Sequence, residues 1–466
     1  MNDSIVRISK IELINFKNVE NGVIDFKENL DAKDYELKSN ILGIYGQNGS
    51  GKTALVDAGR FLKRILQGKP LPIDSYNYIN ALSETACLKF EFSLRKKEKE
   101  YIVFYEVEIK KKEDKCSIIS REKLSISKKA DNSWTSKVTL IDYDYKYDDE
   151  VFLPKYKYQD AILKDEDNIV NLKVAKKMSL SNNTSFIFND EVRNILSNSK
   201  EFEDYSMISD SLTYFSKYNL FVIMNDHSGV ISMNMLMPFS FRIEKNEGIT
   251  SGDIALRLDG PTIVNQTAYS ILNKIVAQMN MVLKYIVPSL QLELYNYGEQ
   301  HNEQGDLVTK VELLSKRGET NNEIKLPIKY ESEGIKKIIS ILSALIAMYN
   351  KPSICMFVDE LDSGIYEFLL GEILQIIQNG GKGQMIFTSH NLRPLEVLNK
   401  NSLYFTTTNR KNRYIRFSNL KNNNNLRSSY IRCINLGGQK EKLYEETNSI
   451  EIQRAFRLAG DKFNDI

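Results

Sequence analysis

The chain predicts an α/β fold, a mixed β-sheet with helices and an antiparallel β lobe, interrupted by a mainly helical insertion. Three observations carry this expectation. A glycine-rich loop sits between a short apolar run and a helical repeat near the start, and a second short apolar run far downstream ends in two acids. Between these ordered ends the periodicity fades. At 466 residues, 42% hydrophobic and 27% charged, the chain can bury a full-sized core, which excludes disordered, collagen-like and disulfide-stapled classes. Lys+Arg 63 against Asp+Glu 61 leaves a net charge of +2, so any binding to nucleic acid or an anionic membrane has to be local.

Residues 6–27 alternate apolar and polar positions, with Ile11, Leu13, Ile24 and Phe26 on the apolar side, and Asn21-Gly22 reads as the turn of a hairpin. Ile41-Leu42-Gly43-Ile44-Tyr45 is a buried-strand pattern, after which Leu55, Ala58, Leu62 and Ile65 recur at helical spacing. Strands return over 86–110, where Leu88, Phe90 and Phe92 alternate, with a charged turn at 95–99. Residues 111–325 read as polar stretches around short helical patches, the pattern of an insertion between two halves of one core. One helix there is clear, with Leu272, Ile275, Val276, Met279, Leu283 and Ile286 on one face before Pro288. No heptad run is long enough for a coiled-coil arm. From Ile328 onward strands and helices alternate again, with 422–425 as a polar loop tip. The expected organisation is an N-terminal lobe over 1–110, an insertion over 111–325 and a C-terminal lobe over 326–466.

Cys87, Cys116, Cys355 and Cys433 are far apart and form no Cys-x-x-Cys pair, so neither a zinc site nor a disulfide framework is signalled. The start, Met1-Asn2-Asp3-Ser4, lacks the basic and apolar regions of a signal peptide, and the longest apolar stretch, 338–349, is too short for a membrane helix. A cytoplasmic protein is expected.

Gly46-Gln47-Asn48-Gly49-Ser50-Gly51-Lys52-Thr53 matches G-x-x-x-x-G-K-[ST] between a predicted strand and a predicted helix. Glycines let successive N–H groups and the helix N-terminus face phosphates, Lys52 reaches the β- and γ-phosphates, and the Thr53 hydroxyl ligates Mg²⁺. ATP with Mg²⁺ is the expected ligand pair. The run 353–358 ends in Asp359-Glu360 at the C-terminal end of a strand, where open α/β sheets bind ligands. Asp359 is expected to hold Mg²⁺, and Glu360 to orient and deprotonate the attacking water. Gln384-Met385-Ile386-Phe387-Thr388 reads as the neighbouring strand and delivers Ser389-His390, with His390 as a γ-phosphate contact. Ser332 and the Gly334 amide precede an apolar helix and form an anion site or an N-cap.

Over 397–440 there is no acid, while Lys400, Arg410, Lys411, Arg413, Arg416, Lys421, Arg427, Arg432 and Lys440 are basic and Tyr404, Tyr414, Phe417 and Tyr430 are interleaved. The stripe suits a solvated edge, a nucleic-acid backbone or an acidic protein. Residues 405–408 and 414–418 read as a hairpin within it.

Taken together, the motifs resemble the ABC-type ATPase heads of the SMC, RecF and overcoming-lysogenisation-defect kind. Residues 46–53 match Walker A, Ser332-Glu333-Gly334 a shortened signature, 353–360 Walker B, Leu361-Asp362-Ser363 the D-loop and Ser389-His390 the H-loop. The resemblance covers the two ends of the chain. It implies that two heads sandwich ATP, each signature serine meeting the γ-phosphate held by the other copy, with Asp362 at that interface. Two departures stand out. No glutamine occurs between Gln67 and Gln159 to serve as the Q-loop residue, and the signature lacks a Ser-Gly-Gly core.

The second departure, together with Phe387-Thr388-Ser389-His390-Asn391-Leu392-Arg393-Pro394 and Asn425-Leu426-Arg427, is similar to the stand-alone ATPases of bacterial anti-phage operons of the PARIS type. That likeness implies a homo-oligomeric ATPase that senses a trigger such as a phage protein and regulates a separate effector, for example a nuclease. The alternative is a RecF-like clamp that binds DNA. A small-molecule P-loop kinase is disfavoured, since it has no use for Ser332 and His390 in these places.

Overall fold

The structure, a computed structural model, describes residues 4–26, 38–131, 133–163, 167–245, 248–318, 323–417, 426–436 and 439–462. The loop tip at 422–425, Lys421 and Gly437-Gly438 lie outside them. Strands β1 (Ser4–Phe16) and β2 (Val19–Asp25) form the expected hairpin, but the chain turns at Lys17-Asn18 and not at Asn21-Gly22. Gly22 lies within β2 opposite Leu13, because a Cβ there would stand 2.6 Å from the Tyr414 ring. This glycine marks a close approach, while Asn15 and Lys17, both at positive φ, shape the turn.

Strand β3 (Asn40–Tyr45) leads through the phosphate loop into α1 (Lys52–Leu66), as expected. Strands β4 (Thr85–Lys96) and β5 (Lys99–Lys112) meet at the charged turn and are extended by β6 (Cys116–Ala130), β7 (Ser133–Trp134) and β8 (Val138–Asp144). The antiparallel sheet runs β2-β1-β4-β5-β6-β7, with β8 also on β6. A boundary at residue 110 therefore falls inside one sheet, within β5, whose pairing with β6 carries on past a register shift at Glu108/Ile109.

Helices α2 (Lys155–Leu163), α3 (Asp167–Asn182), α4 (Asp190–Ser197) and α5 (Glu203–Tyr218) follow, then β9 (Leu220–Ile223) and α6 (Asn225–Ser232). The middle segment holds the expected helices and strands as well. Strands β10 (Leu236–Lys245) and β11 (Gly248–Arg257) form a hairpin, and β12 (Thr262–Asn265), β13 (Leu290–His301), β14 (Leu307–Arg317) and β15 (Ile324–Pro327) form a sheet around α7 (Gln266–Ile286). The first half of β13 alternates Leu290, Leu292 and Leu294 with Gln291 and Glu293, whereas from Tyr295 to His301 both faces are exposed and no alternation marks it.

The last part runs through α8 (Glu333–Asn350), β16 (Cys355–Val358), α9 (Glu367–Gly380), β17 (Gln384–Thr388), α10 (Pro394–Val397), β18 (Leu403–Thr406), β19 (Tyr414–Ile415), α11 (Leu426–Leu436) and α12 (Ser449–Lys462). The second sheet has the order β19-β18-β3-β17-β16-β9 and is parallel apart from β19. Both its faces are buried, which is why its strands read as unbroken apolar runs. Leu42, Ile44, Phe357 and Ile386 join the core formed with α1 and the antiparallel lobe. Ile41, Met356, Val358 and Phe387 join the core under α8, α9 and α11.

The expected fold class is thus present: a parallel α/β core, an antiparallel lobe and a large middle segment. One strand crosses the expected division. Strand β9 comes from within 111–325, yet it closes the core sheet in register with β16, Ile223 beside Val358. The four cysteines are free, and no helix among the described residues is long and apolar enough to cross a membrane.

Candidate functional site

Strands β3, β17, β16 and β9 all point their C-terminal ends the same way, so the loops that follow them share one edge. The phosphate loop leaves β3 with Gly46, Gly49 and Gly51 at φ 154°, 73° and 95°, conformations that a side chain resists. A Cβ on Gly46 would lie 1.7 Å from Thr406 Oγ1. Ser50 turns inward, 2.5 Å from both the Gln47 carbonyl and Thr406 Oγ1, so its hydroxyl braces the loop, whereas Asn48 is exposed at the tip. The Lys52 ammonium donates to the carbonyls of Gly46 (2.8 Å) and Gln47 (3.1 Å) across the loop. Burial lowers its pKa, and Asp359, Glu360 and Asp362 act in the other direction.

On the acid side, Asp359 is 3% exposed, and its Oδ1 accepts from Thr388 Oγ1 at 2.6 Å and from Thr53 Oγ1 at 3.4 Å. Thr388 was not singled out in the sequence, yet its hydroxyl also accepts the Glu360 N–H at 2.8 Å and its carbonyl the Leu361 N–H. It holds the pair of acids in place. Glu360 itself adopts φ 46°, an uncommon conformation for a residue with a Cβ, and marks a sharp exit from β16. The Thr53 hydroxyl and the Asp359 carboxylate offer hard oxygens only, which suits Mg²⁺ completed by phosphate oxygens and water. No cluster of three or more His, Cys, Asp or Glu able to hold a metal occurs among the described residues, so no all-protein cage competes with that reading.

Asp362 accepts the backbone N–H groups of His390 (3.1 Å) and Asn391 (2.9 Å), tying the turn after β16 to the turn after β17. His390 is exposed beside them. Ser332 caps α8, its Oγ accepting the Ile335 N–H at 3.3 Å. Gly334 packs so closely that a Cβ would stand 1.9 Å from the Gly364 carbonyl oxygen. Gly334→Ala is therefore expected to push α8 off the 361–365 turn and to destabilise the fold by about 1–3 kcal/mol, measured by denaturant unfolding.

Walker A, the acids, Asp362 and His390 therefore gather along one edge, while Ser332 makes no hydrogen bond to the phosphate loop of its own chain among the described residues. The sequence reading missed Lys337. Placed five residues after Ser332, it is 2% exposed, donates to Ser228 Oγ at 2.6 Å, and burial lowers its pKa to about 8 against the pull of Asp359, Glu360 and Asp362. A Lys-Lys pair early in a helix reads as a solvated face, so nothing in the sequence flags it.

Strand β9 bears on the missing glutamine. The Asp359 N–H donates to the Ile223 carbonyl at 2.9 Å, so β9 runs beside β16 up to the first acid, and Met224 then caps α6, which opens at Asn225. The edge strand of the core sheet lies at 220–223, well beyond the stretch between Gln67 and Gln159 that has no glutamine.

Among the described residues of the basic stripe over 397–440, Lys400, Arg410, Lys411, Arg432 and Lys440 are exposed, while other members are tied into the fold. Arg413 is 4% exposed and donates to the carbonyls of Thr407 and Asn18, Tyr414 donates to the Gly51 carbonyl at 2.7 Å, and Tyr404 and Tyr430 are buried. Arg416 stacks on Tyr404 and Arg427 pairs with Glu396. Only Arg413 of these cations is drawn into the fold, where the β18–β19 hairpin buttresses the phosphate loop. A different basic feature faces outward: Arg60, Lys63, Arg64 and Lys69 line a cavity of about 300 Å³ with Asp226 as its one acid, beside Met224 and His227.

Residues 10–228, from β1 through the first part of α6, match the family described as an AAA domain. None of the curated proteins compared matches the chain in sequence. Among solved structures, the Smc head domain with an extended coiled coil bound to the C-terminal domain of ScpA, from Pyrococcus furiosus, is 12% identical with a TM-score of 0.39, covering 89% of this chain and 96% of that one. The SMC head domain from Thermotoga maritima is 13% identical (TM-score 0.37; 88% and 99% covered), and the recombination mediator RecF with ATP is 14% identical (0.34; 83% and 94%).

Proposed function

We propose that this chain is an ATP-hydrolysing, ABC-type head that pairs with a second copy through bound nucleotide and regulates a separate effector in anti-phage defence. The observation that carries the ATPase reading is the convergence of Lys52, Thr53, Asp359, Glu360 and His390 on one sheet edge, with Thr388 bonded to both acids. Lys52 and the loop amides hold the phosphates, Glu360 takes the proton of the attacking water, and His390 contacts the γ-phosphate. Thr53 and Asp359 would hold Mg²⁺, which would supply charge neutralisation for the phosphates.

Pairing is supported by Ser332, which sits at a helix N-terminus, makes no hydrogen bond to its own phosphate loop among the described residues, and would offer an anion site to another copy's nucleotide. Ser332→Arg is expected to abolish ATP-driven association while one head still binds nucleotide. Light scattering that records the same mass with and without ATP for wild type would contradict the sandwich. The lost cap costs about 1 kcal/mol, so monomer stability is compared alongside.

The regulatory role is tested by native mass spectrometry of Glu360→Gln purified in Mg-ATP with its chromosomal neighbours. A bound neighbour protein supports an effector partner, for which a nuclease is the expected chemistry and a phage protein the expected trigger. The second reading, a RecF-like DNA-binding clamp, draws on the cavity at Arg60, Lys63, Arg64 and Lys69, whose four cations face one acid. DNA-stimulated turnover that is lost on changing Arg60 and Lys63 to Glu favours that reading over the first.

A further inference from the structure

We propose that Lys337, on the helix that Ser332 caps, is a positioning residue for hydrolysis, whose ammonium holds the Glu360 carboxylate and aims it at the attacking water. This rests on the reading of Glu360 as the base. Lys337 is 2% exposed, and one of the three N–H groups of its ammonium is used, donating to Ser228 Oγ at 2.6 Å. Among the described residues it makes no ion pair and no second hydrogen bond. Its neighbour Lys336 differs: at 3% exposed, it donates both to Asn234 Oδ1 at 2.7 Å and to the Lys329 carbonyl at 3.3 Å. A cation taken out of water with two donors open is unfavourable until an opposite charge completes it. Burial lowers the Lys337 pKa, and the charges that oppose this are Asp359, Glu360 and Asp362.

Of those three acids, Glu360 is the one whose side chain nothing holds. Asp359 accepts from Thr388 and Thr53, and Asp362 Oδ2 accepts the N–H groups of His390 and Asn391. The Glu360 backbone is fixed by Thr388, but its carboxylate has no hydrogen bond among the described residues. A general base works only when its oxygen is held in line with the water it deprotonates. Asp362 keeps one buried oxygen, Oδ1, without a partner, so a lysine turned that way would brace the 361–365 turn and leave the base unheld. The two arrangements differ in what the experiment below reads.

The fold brings the open cation and the open base to one place. Gly334 lies against the Gly364 carbonyl, which seats the first turn of α8 on the turn that follows the acids. Lys337 comes three residues after Gly334 and leaves the helix on that same side. Ser228 belongs to α6, which opens two residues after Ile223, and the Ile223 carbonyl accepts the Asp359 N–H. Lys337 is therefore anchored from the β9 side while its free donors face the end of β16. With Lys52 reaching across from α1, the acids stand between two buried lysines, one tied to the phosphate loop and one still open.

The test is a double-mutant cycle on single-turnover ATP hydrolysis by the full chain, with ATP affinity and thermal unfolding measured on the same preparations. Lys337→Met keeps the length of the side chain and removes its charge, so the fold is expected to stand. Hydrolysis is expected to slow by about 10–10²-fold, the scale for misplacing a reacting group, with ATP affinity within about twofold. In Glu360→Gln, which has no base left to aim, the same change is expected to slow hydrolysis no further. Losses that multiply in the double variant overturn the proposal and assign Lys337 to Asp362 or to the fold. An unchanged rate in Lys337→Met overturns it too, as does a loss of affinity or unfolding midpoint in step with the rate. Should Lys337→Met not fold, Ser228→Ala, which removes the lysine's one anchor, enters the cycle instead; a wild-type rate there, or multiplied losses, overturns the proposal. Glu360→Gln that hydrolyses at the wild-type rate removes the base itself, so that failure belongs to the underlying reading and takes Lys337 with it.

Discussion

Replacing Glu360 with glutamine is expected to leave ATP binding intact and to slow hydrolysis by about 10²–10⁴-fold, the usual cost of losing a general base. The geometry makes this a clean substitution. The backbone at Glu360 is held by the Thr388 hydroxyl, and the next N–H by the Thr388 carbonyl, so the unusual φ of 46° does not depend on the carboxylate. Glutamine keeps the size and the polar reach of the side chain but cannot accept the proton. Single-turnover hydrolysis beside equilibrium nucleotide binding separates the two properties. Normal turnover in the variant would place the base at another residue, and a loss of binding would move Glu360 from chemistry to metal or loop structure. The slowed variant also accumulates whatever assembly ATP creates, which is why the native mass spectrometry uses it.

Lys52→Ala is expected to reduce hydrolysis by at least about 10²–10³-fold, the scale for removing one preorganised electrostatic contact from a transferring group. Lys52 is 7% exposed, and it bridges the loop through the Gly46 and Gln47 carbonyls. Its burial disfavours the charge while three nearby acids favour it. The side chain thus carries a cation into a site that gains from it only when phosphate is bound. The checks are steady-state phosphate release and thermal unfolding of the same preparation. An unchanged unfolding midpoint with lost turnover assigns the loss to chemistry; retained turnover removes the phosphate-loop assignment.

Much of the core was legible because its elements announce themselves locally. The run from Ile41 to Tyr45 could only be a buried strand, and it lies in parallel between β17 and β18. The Ser332 cap and the helix it starts were likewise readable, since capping is set by neighbours in sequence. Asn21-Gly22 misled for the opposite reason. Its glycine answers to Tyr414, far along the chain, and not to a turn. Strand β9 has four residues, too few to display a period, and its identity comes from pairing with β16. Within the basic stripe, charge is visible in sequence, but the burial that takes Arg413 alone of the described cations inward is not.

What the sequence by itself determined is the chemistry of the edge: the phosphate loop, the acids after β16 and the histidine after β17, because each depends on residue types at short spacing. Only the tertiary structure decided how the middle segment closes the core sheet through β9, that Thr388 binds both acids, that Lys337 is buried opposite them, and that α12 stands clear of its own chain. Those features depend on which distant residues meet, and burial and pairing between distant residues leave no local pattern for a single sequence to display.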